Sequence, residues 1–142
     1  MNDKHTRIRS GAPWEPIMGY CRAVRAGAIV AVSGSAAIDE NGELVGAGDM
    51  YAQARQCIHV LQMALEKAGC SIEDVVRTRN YVTDISQWEA VAKAHSDVFG
   101  DAPPATTLVE VTRLIDPAML VEIEADAVIP DPDPDPDPDP DQ

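Results

Sequence analysis

The sequence predicts one α+β domain in which a single sheet carries two helices on one face. Three observations lead there. At 142 residues the chain is about one domain long, and its 45% hydrophobic content can supply one core. Only 4% of residues are aromatic, so that core rests on Val, Ile, Leu, Ala and Met, which suits thin layered packing. The apolar period switches between 2 and 3.6 in the order β-β-α-β-α-β, the pattern of a sheet with helices along one side. The opposite face then needs a cover, and another copy of the chain is the economical choice.

The stretch CRAVRAGAIVAVSG (21–34) reads as a hairpin folded about Ala26-Gly27, with glycine supplying the positive φ of a tight turn. Asp39-Glu40-Asn41-Gly42 is a turn between two short extended pieces. From Asp49 to about Ala68 the spacing becomes helical. Ala54, Ile58, Leu61 and Leu65 fall on one side, Gln53, Gln56, Gln62 and Glu66 on others, with Asp49 as cap and Gly69 as stop. Val75 to Val82 is strand-like. Ser86-Gln87-Trp88-Glu89 has capping-box spacing, and the helix it opens runs to Gly100 with Trp88, Val91, Ala92 and Phe99 apolar. Two last strands lie near Thr107–Val111 and Leu120–Val128.

The formal charge is −13, and six of the acids lie in the final DPDPDPDPDPDQ, which leaves −7 for residues 1–130. Nucleic acid is an unfavourable partner for such a chain, because phosphate binding needs clustered positive charge. No apolar run is long enough to cross a membrane, and the first ten residues lack the apolar stretch of a signal peptide, so the expected location is cytoplasmic. Strict Asp-Pro alternation removes every second backbone donor and favours extended conformations. Residues 130–142 are therefore expected to be a disordered, solvated tail, residues 1–8 a flexible arm, and residues 9–129 the folded domain.

Cys21, Cys57 and Cys70 lie 36 and 13 residues apart, which matches neither a metal-thiolate pair nor a disulfide framework. They read as buried thiols. His59 falls on a polar helix face and His95 at a helix boundary, so no metal or other cofactor is expected.

Strand alternation sorts the chemistry. With Ala26-Gly27 as the turn, Val24 opposes Ile29, Arg22 opposes Ala31 and Tyr20 opposes Ser33. Tyr20, Arg22, Ala31 and Ser33 then share one sheet face, whereas Cys21, Ala23, Val30 and Val32 share the apolar one beneath the helices. On the last strand Glu122, Glu124 and Asp126 alternate with Val121, Ile123, Ala125 and Ala127. A partner covering that face would partly bury one of these acids and raise its pKa, as acid/base chemistry requires.

Four segments in order, GYCRAVRAGAIVAVSG, YAQARQCIHVLQMALEKAG, IEDVVRTRNYVTDISQWEAV and PPATTLVEVTRLIDPAMLVEIEADAV, resemble the RidA/YjgF family of reactive-intermediate deaminases. The resemblance spans roughly Arg9 to Val128. It implies a chorismate-mutase-like α+β fold, a homotrimer whose sheets form a central barrel, and three ligand clefts between subunits. It also implies cofactor-free hydrolysis of 2-imino or enamine acids to 2-keto acids and ammonia. Tyr20 and Ser33-Gly34 match the family's pocket Tyr and Ser-Gly, and Glu122 matches the glutamate that positions or activates water.

One departure is sharp. Where the family carries Pro-Ala-Arg-Ser, whose Arg grips the substrate carboxylate, this chain has Pro104-Ala105-Thr106-Thr107; Ala92 likewise stands where many members have Asn. A charge-assisted contact of that kind is worth about 1.5–3 kcal/mol, and a neutral Thr cannot replace it. Either another cation enters the cleft or the ligand is not an anion. For the first, Arg22 lies two residues from Tyr20, about 6–7 Å along the strand, and Arg79 is a second candidate. For the second, Thr106, Thr107, Tyr20 and Ser33 make a neutral hydrogen-bonding set that Trp14 would close as a lid. The expected function is hydrolysis of an imine, enamine or similarly activated small metabolite with Glu122 as general acid/base. The alternatives are a non-catalytic trimeric module that binds small molecules or protects proteins, and a pathway-specific hydrolase or isomerase.

Overall fold

A computed structural model describes residues 4–130, so the Asp-Pro tail from residue 131 onward lies outside the described residues. The elements, in chain order, are β1 (Thr6–Ile8), α1 (Trp14–Met18), β2 (Ala23–Ala26), β3 (Ile29–Ser35), α2 (Met50–Lys67), β4 (Val75–Val82), α3 (Trp88–Phe99), β5 (Ala105–Glu110) and β6 (Val121–Val128). They form one six-stranded sheet in the order β1-β2-β3-β6-β4-β5. All neighbours are antiparallel except β4 and β5, which run parallel because α3 crosses between them. The expected α+β class is present, with both β5 and β6 after α3, one strand more than β-β-α-β-α-β places there. Two elements were not anticipated: the short helix α1, and β1, which forms within the expected arm by pairing Thr6–Ile8 with Ala23–Arg25.

The core lies between the helices and the sheet face that the alternation assigned to them. Ala23, Val30, Val32, Val121, Ile123, Ala125 and Ala127 are buried there under Ala54, Ile58, Leu61 and Leu65 of α2 and Val91 and Phe99 of α3. Each fully buried Ile, Leu or Val contributes roughly 1.5–3 kcal/mol. Asp49 caps α2 by accepting from Ala52 N at 3.0 Å, and Gly69 takes φ +87° just beyond its end. The Asp39–Gly42 turn also forms, closed by Gly42 N donating to Asp39 O.

Three local expectations need correction. The hairpin turns on Gly27-Ala28, so Ala26 pairs with Ile29, Val24 with Ala31 and Ala23 with Val32. A two-residue loop with positive φ only at its first position accommodates Gly27 there, and Gly27 has φ +63°. The shift is two residues in pairing, so no side chain changes face. Gln53, expected on the polar side of α2, is fully buried. Its amide donates to Gly46 O at 3.2 Å and Ala118 O at 3.0 Å and accepts from Leu120 N at 2.9 Å, which ties two loops to the helix. The Ser86–Glu89 capping box does not form. Asp84 instead accepts from Ser86 N and Oγ ahead of α3, and Trp88 is 51% exposed.

Replacing Gln53 by Ala removes three part-buried bonds, leaving Ala118 O and Leu120 N without these partners while Gly46 O keeps Asp49 N, and is expected to cost about 1–3 kcal/mol. Urea unfolding reads this as a lower midpoint at unchanged slope; a change under about 0.5 kcal/mol would show that these bonds contribute nothing net.

Candidate active site

The site begins with an irregularity in β3. Pairing with β6 runs Val32 to Ala125 and then Ser35 to Ile123, so Ser33 and Gly34 form a bulge. A bulge adds a residue to one strand and re-aims the side chains around it. Ser35 turns to the helix side and is fully buried, whereas Ser33 stays half-buried on the open face and donates through Oγ to Cys21 O at 2.7 Å. The main chain at Gly34 comes so close to Glu122 of β6 that a Cβ there would stand 2.8 Å from Oε2 and 2.9 Å from Cδ. Gly34 has no positive φ, so the missing Cβ matters here only through this contact: any side chain at position 34 would make the Glu122 carboxyl shift.

Glu122 is half-buried, and burial pushes its carboxyl above the ordinary range; Arg22 opposes the shift and Glu124 adds to it. Arg22 donates from Nη2 to Gly34 O at 2.7 Å, with its guanidinium carbon 5.9 Å from the Tyr20 ring centroid. Tyr20, Arg22, Ser33, Gly34 and Glu122 therefore gather around one bulge; alternation put Tyr20, Arg22 and Ser33 on one face, and the family resemblance added Gly34 and Glu122. The other acids of β6 are engaged elsewhere: Tyr81 donates to Glu124 at 2.6 Å, and Arg79 meets Asp126 at 3.0 Å and Glu124 at 3.8 Å.

A groove of about 410 Å³ opens on the same face, lined by Tyr20, Val24 and Ser33, with Glu15, Arg7 and Arg9 among its other walls. Glu15 is buried and accepts from Ser10 N and Oγ and from Ala12 N. Neither Glu15 nor the two N-terminal arginines stood out in the sequence, because β1 and α1 are too short to show a period.

The β5 residues lie apart from this cluster. From β3 to β5 the sheet takes three steps, about 14 Å at the usual strand spacing. Thr106 pairs with Thr78 and turns its hydroxyl toward the helix side. There it receives Asn80 Nδ2 at 3.0 Å and bonds the Thr78 hydroxyl, which in turn meets His95 Nε2 at 2.8 Å. Burial holds the His95 ring below its usual pKa. Thr107 accepts from Arg77 Nη2 at 3.0 Å on the open face. Trp14 begins α1, half-buried, and is not among the groove's lining residues. Arg79 is committed to Asp126. Of the two cations considered, only Arg22 stands beside Tyr20 and Glu122.

The family profile described as "Endoribonuclease L-PSP" matches residues 10–129. Rv2704 of Mycobacterium tuberculosis, described as a member of the highly conserved YjgF/YER057c/UK114 family, superposes with a TM-score of 0.81 at 45% identity, covering 88% of this chain and 99% of that one. The chain belongs to the YjgF/RidA family. The YjgF gene product of E. coli superposes with a TM-score of 0.75 at 31% identity over 87% of this chain and 97% of that one. The 3-aminoacrylate deaminase RutC of Acinetobacter baylyi is 32% identical over 87% of this chain and 97% of its own length. The Thr106 hydroxyl is already used within its own protomer.

The raised carboxyl of Glu122 fixes a pH dependence. A group whose folded pKa exceeds its unfolded value near 4.5 favours folding below that value, and the contribution is lost as pH rises through the folded pKa. Glu122→Gln is therefore expected to be more stable than the parent at pH 7, an advantage that shrinks toward pH 4. Urea unfolding at the two pH values checks this, and an equal difference at both would contradict it. Carboxyl NMR titration should show the Glu122 pKa rising further in Arg22→Ala and falling in Glu124→Gln.

Proposed function

We propose that this protein hydrolyses an imine or enamine of a small metabolite to the corresponding carbonyl compound and ammonia, in clefts between the subunits of a homotrimer. The observation that carries the reading is Glu122: a half-buried carboxyl with raised proton affinity, pressed against Gly34 beside Tyr20 and Ser33. Raised proton affinity suits a group that must both take and return a proton. The likeness to 3-aminoacrylate deaminase RutC supports the reaction class.

In this mechanism Glu122 takes a proton from water as the water oxygen attacks the C=N carbon and returns it to nitrogen, giving a carbinolamine. The carbinolamine hydroxyl proton then passes through Glu122 to the amine, the C–N bond breaks, and ammonia leaves as the carbonyl forms. An enamine enters the same route after protonation at carbon gives the imine. Arg22 fixes the Gly34 carbonyl and steadies the charge of Glu122 without closing a salt bridge on it. The open sheet face favours a trimer, because three copies that close these faces against one another bring β5 of one protomer toward Tyr20 and Ser33 of the next. The endoribonuclease wording of the family profile is not part of the proposal, since a charge of −7 on residues 1–130 disfavours a phosphate backbone.

The inward hydroxyl of Thr106 favours one second reading, a trimeric module that binds a small ligand without chemistry. The two separate on one substitution. With enzymically generated 2-iminobutyrate or 2-iminopropionate, the parent is expected to accelerate keto-acid release and Glu122→Gln to lose about 10²–10⁴-fold of that rate, with solution mass still that of a trimer. No acceleration by an intact trimer would overturn the deaminase reading; a stable monomer would overturn the cleft.

A further inference from the structure

We propose that Arg9, with Arg7 beside it, supplies the cation for a carboxylate-bearing ligand in the groove next to Tyr20 and Ser33. This rests on the deaminase reading of the adjoining site, whose Glu122 is not among the groove's lining residues, and requires a substrate that carries a carboxylate.

The placement follows from strand pairing. Arg7 of β1 stands opposite Val24, which lies on the open face because its neighbour Ala23 is buried beneath the helices. Alternation carries Arg9, two residues on, to the same side. Both arginines line the groove with Tyr20, Val24 and Ser33. Between residues 4 and 9 the chain has Lys4, Arg7 and Arg9 and no acid, a cationic corner in a protein with 24 acids and 11 Lys and Arg residues.

The other cations near this face are engaged through their terminal nitrogens, although Arg22 Nε and Arg77 Nε are buried without a partner among the described residues. Arg22 donates to Gly34 O, and its charge is shared between Glu122 and Glu15. Arg77 is bonded to Thr107 and Arg79 to Asp126. Arg25 reaches across to Ala68 O at 3.0 Å. Among the described residues no hydrogen bond or ion pair holds the Arg9 guanidinium, and its five donors suit a planar carboxylate. Glu15, the acid in the same groove, takes its own donors from Ser10 and Ala12, so it is held back against its loop. A carboxylate lying between Arg9 and the Tyr20–Ser33 edge thus meets charge from β1, where the family arrangement would present it from β5.

Arg9 is exposed, so its removal leaves the fold intact, as solution mass and circular dichroism would show. The test titrates 2-oxobutyrate and its uncharged amide, 2-oxobutyramide, into the full-length protein by NMR, and measures KM for 2-iminobutyrate. Arg9→Ala is expected to weaken 2-oxobutyrate and raise that KM about tenfold, at the low end for a charge-assisted contact because the side chain is exposed. Arg9→Lys should retain most of the affinity, and 2-oxobutyramide should bind all three proteins alike. Unchanged 2-oxobutyrate binding in both Arg9→Ala and the Arg7→Ala/Arg9→Ala double variant would overturn the proposal, as would a parent that binds neither ligand. If the parent binds 2-oxobutyrate through Arg9 but hydrolyses no imine, the anion site stands and only the deaminase reading falls.

Discussion

The close approach of Glu122 to the main chain at Gly34 is the constraint on which the candidate site depends. It combines a glycine at position 34, whose missing Cβ leaves room for the Glu122 carboxyl, a bulge that brings the β3 backbone up to β6, and a side chain on β6 aimed at the open face. Those three conditions also explain the electrostatics. A carboxylate packed against peptide backbone loses water, so its charged form is disfavoured. The one nearby guanidinium that could restore it is turned to a carbonyl instead. The result is an acid that stays responsive to protons while its neighbours on the same strand, Glu124 and Asp126, are held by Tyr81 and Arg79.

The other end of the sheet is organised by a different economy. A lone hydroxyl at Thr106 cannot do the work of a guanidinium, and the fold puts it to internal use in a chain of polar contacts from Asn80 through Thr106 and Thr78 to His95. Buried Thr78 and Asn80 bond the exposed Thr106 and so help tie β4 to β5, while Asn80 Oδ1 stays without a partner among the described residues. This internal use also moves the question of charge recognition to the opposite edge of the sheet, where β1 carries Arg7 into the groove and leads on to Arg9.

How much could be read beforehand varied with the range of the interaction. The extents of α2 and of β4 followed from period and caps, since Asp49, Gly69 and the Val75–Val82 run act within a few residues of themselves. The two faces of the β2–β3 hairpin followed from alternation even though its turn lies one residue later than expected, because a two-residue shift in pairing preserves parity. Gln53 was misplaced because a glutamine on a helix looks solvent-facing until two distant loops arrive to bond it. Ser86 was misassigned as a cap because Asp84, two residues earlier, competes for the same amide and hydroxyl.

The sequence by itself determined the α+β class, the buried and open faces of the sheet, the family, and the shared face of Tyr20, Arg22 and Ser33. All of these depend on local periodicity or on motifs contiguous in the chain. Only the tertiary structure decided that Ser33-Gly34 is a bulge, that Glu122 lies against it, that Thr106 faces inward, and that arginines from the N-terminal segment share a groove with Tyr20. Each of those facts depends on which strands become neighbours, and strand order is set by long-range packing that no single stretch of residues encodes.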